Sequence, residues 1–154
     1  MPRRKDPLSR TQHRRVGTHL FNHSWSILER TTRSEEEDEE LLHAAHASYY
    51  HWAHGGASLR NLSIGEWHLS RVYSVLRQPQ PALHHGRRSL DFALRGRLSP
   101  FYVAYAYEAL ARASALAGKR AARARYLREA RKVGRRIRDR HESKMLLDDL
   151  ATVL

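Results

Sequence analysis

Apolar positions recur every three or four residues along most of the chain, and nowhere do they alternate strictly with polar positions. A spacing near 3.6 residues places such positions on one face of an α-helix, whereas strict alternation indicates a half-buried strand. The pattern therefore predicts an all-α protein of about seven antiparallel helices joined by short loops. The predicted helices cover approximately residues 18–30, 35–54, 58–77, 81–95, 100–117, 120–138 and 142–153.

Residues with strong preferences for helix ends mark several of these boundaries. Ser34 precedes a run of acidic residues, and a serine N-cap followed by carboxylates is favourable at the positive end of a helix dipole. Ser99–Pro100 has the sequence of an N-cap followed by a proline in the first turn, where the missing N–H does no harm. Gly55–Gly56 and Gly118 indicate helix ends, because glycine readily adopts the conformation that closes a helix.

The first fifteen residues differ from the rest in composition. They contain two prolines and six basic residues, and no apolar period is present. We expect residues 1–15 to form a disordered basic tail and residues 16–154 to form a single domain with a hydrophobic core. No apolar stretch follows the basic start as in a secretory signal, no apolar run reaches eighteen residues, and cysteine is absent. These features favour a cytoplasmic protein without a membrane span.

Three pairs of predicted helices share one arrangement of large and small residues. The first helix of each pair has a large residue, a small residue directly after it and a contact position three residues later. The second helix has contact positions at i, i+4 and i+7. A small residue lets two helices approach closely while its neighbours interdigitate. The positions are His23, Ser24, Ile27, Ala45, Tyr49 and Trp52; then Leu69, Ser70, Tyr73, Ala82, Gly86 and Ser89; then Leu110, Ala111, Ser114, Arg123, Leu127 and Ala130.

This arrangement resembles the tetratricopeptide repeat (TPR), whose pattern is W-x2-L-G-x2-Y followed by A-x3-F. The resemblance covers about residues 18–138 and departs from the family in three respects, of which one is that Ser24, Ser70 and Ala111 occupy the glycine position. Leu69 and Leu110 are separated by 41 residues rather than 34, and Arg123 occupies the alanine position. The resemblance implies TPR-like helical hairpins, with residues 142–153 as a C-terminal capping helix.

In TPR-like arrays the first helix of each pair lines a concave groove that binds a protein or peptide partner. Aromatic and arginine side chains dominate the positions that helical phase assigns to this groove, and both residue types are frequent in binding hot spots. A second interpretation is that the array is too short for an open groove, so that the tryptophans belong to the core. TPR domains that capture C-terminal carboxylates use lysine and asparagine in the groove. Neither residue occurs at the matching positions here, so we do not expect that specific activity. The predicted groove residues are Phe21, Trp25, Trp67, Arg71, Tyr105, Glu108 and Arg112.

Histidines are the main candidates for metal or catalytic chemistry, and four lie between residues 43 and 54. His43/His46 and His51/His54 have i, i+3 spacing, but no carboxylate shares that face and no zinc motif is present. We therefore expect no metal or cofactor, and a half-buried packing surface instead. The sequence also has no nucleophile with an adjacent base, no facing carboxylate pair and no glycine-rich phosphate loop. We expect no enzyme activity.

Basic residues are concentrated in two places. Of the formal charge of +12, residues 119–140 contribute +9 and residues 1–15 contribute +5, so the remainder is slightly acidic. One interpretation is a solvated helix face in a chain whose arginine content reflects coding bias. The other is contact with phosphates through charge-assisted hydrogen bonds. The residues of this predicted basic patch are Arg123, Arg128, Arg131, Arg135 and Arg138.

These patterns predict a non-enzymatic protein- or peptide-binding scaffold. The alternative is an accessory nucleic-acid-associated protein that contacts phosphates through the basic tail and the arginine-rich helix. A homo-oligomer is a further expectation, because Leu146, Leu150 and Val153 would form an apolar face on the last helix.

Overall fold

The computed structural model describes residues 6–154, which form seven α-helices and, over that range, no strand. The all-α prediction is confirmed, and α1/α2, α3/α4 and α5/α6 each pack as a pair of adjacent helices. Within this range, no helix combines the length and apolar character that crossing a membrane requires. The helices are α1 (Arg10–Leu28), α2 (Glu35–His54), α3 (Leu59–Val75), α4 (Pro79–Arg95), α5 (Pro100–Leu116), α6 (Arg120–Gly134) and α7 (Arg140–Ala151).

The helices fall into two compact units. The first unit ends at Ser58 and contains α1 and α2, whereas the second unit, Leu59–Leu154, contains α3 to α7. Each unit buries apolar side chains of its own. Ile27 and Leu41 are buried in the first unit, and Leu69 and Leu110 are buried in the second.

Helix α1 begins at Arg10, so the prediction of a disordered tail was wrong for residues 10–15. Ser9 and Gln12 form a capping box that starts the helix. The Ser9 hydroxyl accepts from the Gln12 N–H at 3.2 Å, and the Gln12 side chain accepts from the Ser9 N–H at 2.8 Å. The buried side chain of His13 then packs on α2. Residues 1–5 of the predicted tail lie outside the described residues.

Other helix boundaries follow the predicted signals with small shifts. Ser34 caps α2, its hydroxyl accepting from the Glu37 N–H at 3.2 Å. Helix α4 begins at Pro79, two residues before the predicted start at Pro81, and both prolines lie in its first turn. Helix α6 ends at Gly134, before the predicted residue 138, and α7 begins at Arg140 because the Asp139 carboxylate accepts from the Glu142 N–H at 2.8 Å.

Four interhelix turns contain a residue with a left-handed backbone. Gly56 and Gly118 have φ angles of 71° and 70°, as helix-closing glycines do. Arg77 and Arg97 occupy the equivalent position after α3 and α4, with φ angles of 58° and 48°. A side chain in this conformation costs roughly 1–2 kcal/mol, because its Cβ crowds the carbonyl oxygen. Two arginines therefore stand where glycine would be less strained.

Small residues allow close approach between α1 and α2. Gly17 leaves so little room that a Cβ built there would lie 2.4 Å from Cδ1 of Trp52. The Ser48 hydroxyl donates to the Gly17 carbonyl oxygen at 2.7 Å across the same interface. Phe21 stacks on Trp52 with ring centroids 5.0 Å apart. At this interface the backbone of α1 at Gly17 therefore packs directly against the Trp52 ring of α2.

Serine hydroxyls join α3 to α4 in a similar way. Ser63 and Ser89 each donate to the other's carbonyl oxygen at 2.9 Å. The Ser70 hydroxyl donates to the carbonyl oxygen of Ala82 at 2.8 Å. The predicted close approach at Ser70 and Ala82 is thus confirmed, and both residues are completely buried.

Helix α7 completes the core of the second unit. Leu146 and Leu150 are 1% and 3% exposed and pack with Tyr105 of α5 and Ala130 of α6. The predicted self-association face is therefore incorrect for these two leucines, because the unit itself covers them. Leu147, which points the other way, is 57% exposed.

Candidate binding site on the second unit

A cavity of about 400 Å³ lies between α3, α5 and the end of α7. It includes two residues that the sequence predicted for a groove, Arg71 and Arg112. A volume of this size is typical of pockets that hold a small ligand or a few side chains. The lining residues are Arg71, Ser74, Val75, Arg77, Arg112, Ala115, Leu116, Thr152 and Leu154.

A buried carboxylate fixes the two predicted arginines. The Glu108 side chain, 1% exposed, places Oε1 2.5 Å from Nη2 of Arg112 and 3.5 Å from Nη1 of Arg71. The Arg112 Nε also donates to this oxygen, at 2.7 Å. The i, i+4 pairing of Glu108 with Arg112 that helical spacing permits is therefore present. Because one carboxylate faces two guanidinium groups, its charge neutralises only part of theirs.

Arg112 also fastens α7 to α5 at the edge of the cavity. Its Nη2 donates to the carbonyl oxygen of Asp149 at 3.0 Å and to the hydroxyl of Thr152 at 2.9 Å. These bonds reach the C-terminal end of α7, where main-chain carbonyls have no partner within the helix. Arg112 is therefore both a wall of the cavity and a connection between helices.

Arg77 brings a third guanidinium group to the cavity from the strained turn after α3. Its side chain is exposed and forms no ion pair with any residue from 6 to 154. Together with Arg71 and Arg112 it outweighs the single carboxylate of Glu108. Three arginines and one paired carboxylate side chain, that of Glu108, therefore lie at or beside this cavity.

The remaining wall is mixed in character. Val75 and Leu116 contribute apolar surface between the arginines. The Ser74 hydroxyl oxygen is shielded from solvent and has no hydrogen-bond partner among the described residues. A ligand group that enters here therefore meets positive charge, apolar surface and one hydroxyl.

Two other predicted groove residues face the inside of the unit. Tyr105 is 7% exposed, and its hydroxyl donates to Oδ2 of Asp149 at 2.7 Å. Burial, reinforced by the Asp149 carboxylate, raises the pKa of the Tyr105 phenol well above its usual value. Trp67 is half-buried and meets the edge of Tyr105 with ring centroids 5.7 Å apart. For Trp67 and the buried pair Tyr105 and Glu108, the interpretation as core agrees better with the structure than an open groove does.

Phe21 and Trp25, the remaining predicted groove residues, belong to the first unit. Both are half-buried, and their rings meet edge to face with centroids 6.3 Å apart. Phe21 also stacks on Trp52, as described above. These two aromatics are therefore part of the α1–α2 packing and lie outside the cavity of the second unit.

A second buried carboxylate, that of Glu66, forms ion pairs that the sequence did not predict. Glu66 of α3 is 1% exposed and lies 2.6 Å from Nδ1 of His85 and 2.5 Å from Nε of Arg88, both on α4. The His85 ring stacks on Tyr73 at 5.4 Å. His85 and Arg88 are 19 and 22 residues from Glu66 in the sequence, so no local pattern indicates the pairing. The group joins the two helices of the hairpin.

Histidines of the first unit form a cluster at the start of α1 and the end of α2. Nδ1 of His13 lies 2.9 Å from Nδ1 of His51, and Nε2 of His13 lies 2.9 Å from Oδ2 of Asp6. Burial, together with the charges of His13 and His54, lowers the pKa of His51. Among the described residues, no three side chains of metal-binding type are arranged to hold an ion. His43, His46, Tyr50 and His54 are exposed, so the half-buried packing surface expected for this face of α2 is not present at these four residues.

The predicted basic patch divides into exposed and partly buried members. Arg128, Arg131, Arg135 and Arg138 are exposed. Arg123 is half-buried, and its Nε is shielded from solvent without a hydrogen-bond partner in the described part of the chain. Four of the five residues therefore lie on the surface.

No protein-family model, curated protein or solved structure matches the chain. The likeness to tetratricopeptide repeats therefore rests on the residue pattern and on the packed helix pairs. It remains a prediction at the level of family.

Proposed function

We propose that the protein is a non-enzymatic, TPR-like scaffold that binds an acidic peptide segment of a protein partner. The observation that carries the proposal is the cavity where Arg71, Arg77 and Arg112 meet beside Val75 and Leu116. Arginine forks bind carboxylates through paired hydrogen bonds, and the apolar surface suits an adjacent aliphatic side chain. The proposed location of the protein is the cytoplasm.

The fixed position of the arginines supports this proposal. Glu108 and the end of α7 hold Arg112 in one orientation, so little side-chain freedom is lost when a ligand binds. Arg77 has a strained backbone, and strained residues are frequent at binding sites. A peptide carboxylate would therefore meet an Arg112 side chain whose position is already fixed.

The experiment uses peptides selected from a displayed library of random twelve-residue sequences on the full chain at moderate salt. Selected peptides are then titrated by fluorescence anisotropy against Arg71→Ala and Arg77→Gly. Arg97→Gly is the matched control, because Arg97 has the same left-handed backbone after α4 but lies outside the cavity lining. Circular dichroism establishes that each variant remains helical.

We expect enrichment of peptides with aspartate or glutamate beside an aliphatic residue. Loss of one charged hydrogen bond should weaken their binding about tenfold in Arg71→Ala and Arg77→Gly, with a change below about twofold in Arg97→Gly. Selected peptides without acidic residues, or equal binding by all four proteins, would rule out this site.

A further inference from the structure

Residues 119–140 form a surface whose arginines lack counter-charges. Elsewhere in the described chain, Arg30, Arg33, Arg71, Arg88, Arg95 and Arg112 each pair with a carboxylate. Over residues 6–154, no ion pair involves a residue between 119 and 140, although this segment has eleven basic residues and two acidic ones. A solvated helix with mixed charges would ordinarily form some i, i+4 pairs. The positive charge here is therefore available to an external partner.

Packing of α6 directs these arginines outward. Ala130 is completely buried, and Val133 and Ile137 pack against the same core as Leu146. Arg128 and Arg131 lie on the exposed side of the helix, and Arg135, its C-cap, follows at i+7 and is also exposed. A rise of 1.5 Å per residue spreads this row over roughly 10 Å, comparable with about three base pairs of a duplex.

The row leads to two cavities that share Arg135. One, of about 240 Å³, is lined by Arg131, Arg135 and Ser143 among others. The other, of about 670 Å³, brings Arg135, Arg136 and Arg138 together beside the first turn of α5. Asp139 and Glu142 are the carboxylates on its wall, so positive charge remains in excess. Concave sites of this kind suit a phosphate, which accepts several hydrogen bonds from arginine forks.

We propose that α6 and the segment through Arg138 bind the phosphate backbone of double-stranded nucleic acid without sequence preference. DNA and RNA duplexes share the phosphate chemistry that this surface would recognise. This second site is independent of the peptide cavity between α3, α5 and α7, because only Arg71, Arg77 and Arg112 contribute guanidinium groups there.

The surroundings favour a duplex over other polyanions. A helix that binds a membrane surface inserts an apolar face, but the apolar face of α6 is turned into the core. Proteins that bind single strands stack bases on aromatic rings. The aromatic residue of α6, Tyr126, is half-buried against the cluster of Ala82 and Leu110. Contact with phosphates alone gives affinity without base recognition.

The test measures binding of the full chain to labelled 20-base-pair DNA and RNA duplexes by fluorescence anisotropy between 50 and 200 mM salt. A single strand of the same length and vesicles rich in phosphatidylserine are the competing probes. The site variant is Arg128→Gln/Arg131→Gln/Arg135→Gln. The matched control, Arg60→Gln/Arg87→Gln/Arg97→Gln, removes the same charge from exposed arginines of the second unit that form no ion pair with a described residue.

With about five phosphates contacted, log affinity should fall with log salt at a slope near −4.5, and the site variant should reduce this slope to about −2. We expect the site variant to bind duplex about thirtyfold more weakly at 100 mM salt, with less than a threefold change in the control. Equal losses in the two variants would show that net charge alone is responsible and would overturn the proposal. Tighter binding to vesicles or to the single strand than to either duplex would also overturn it.

Discussion

His68 lies in the core of the second unit, 1% exposed, and this burial makes folding sensitive to acid. Desolvation of the charged imidazole lowers the pKa of His68 from 6.5 to about 4. In the unfolded chain the side chain regains its ordinary pKa, so the unfolded state binds more protons at mildly acidic pH. Stability is therefore complete above about pH 6.5 and is lost as the pH falls toward 4.

The size of this loss follows from the two pKa values. One pH unit corresponds to 1.36 kcal/mol for each proton taken up on unfolding. Between pH 7.5 and pH 5, protonation of the unfolded His68 should lower the free energy of unfolding by about 2 kcal/mol. This is a large share of the 5–15 kcal/mol that stabilises a typical domain.

The measurement is urea unfolding of the full chain at pH 7.5 and pH 5. Hydrogen exchange of peptides from α3 and α5 reports on the second unit separately from the first. His68→Gln and His68→Met, which have no titrating side chain at this position, should each be less sensitive to pH than the original protein by about 2 kcal/mol. Two variants are needed so that a single packing defect does not decide the result. If all three proteins lost the same free energy of unfolding between pH 7.5 and pH 5, protonation of His68 would not be the cause.

Two core substitutions test the packing of each unit. Gly17→Ala should lower the free energy of unfolding of the first unit by about 1–2 kcal/mol, because overpacking against Trp52 exceeds the gain in helix propensity. The control is His19→Ala, because His19 is exposed. The free energy of unfolding of both variants is measured in urea. If Gly17→Ala were as stable as this control or more stable, the close contact between Gly17 and Trp52 would be contradicted. Leu146→Ala should lower the stability of the second unit by about 2–5 kcal/mol, whereas exposed Leu147→Ala should change it by less than about 0.5 kcal/mol. Similar losses for the two leucine variants would mean that α7 does not pack as described.

The agreement between sequence and structure is closest where local chemistry decides the outcome. Ser34 and the glycines at 56 and 118 act on backbone groups within a few residues, so their capping roles could be predicted. The helix over residues 10–15 also has a local cause, because the Ser9–Gln12 capping box starts it from within the neighbouring sequence. Prolines and basic residues suggested disorder, but this signal and the contact of His13 with α2 favour the helix.

Helical phase brought together some residues of the candidate site and did not account for others. Helical phase correctly placed Arg71 and Arg112 on neighbouring surfaces of α3 and α5. Helical phase also predicted that Tyr105 and Glu108 face an open groove. Both residues are buried, and Tyr105 is bonded to Asp149 of α7. Arg77 was missed because a helix-period pattern contains no information about a turn residue with a left-handed backbone.

The sequence by itself determined the all-α class, the number of helices and most of their ends, because these depend on interactions within a few residues. Only the tertiary structure decided that Leu146 and Leu150 face inward and that Glu108 stands between two arginines. It also decided the division into two units. The physical reason is that an amphipathic helix specifies an apolar face but not the partner that covers it. That partner depends on contacts between residues far apart in the chain, such as Tyr105 and Asp149.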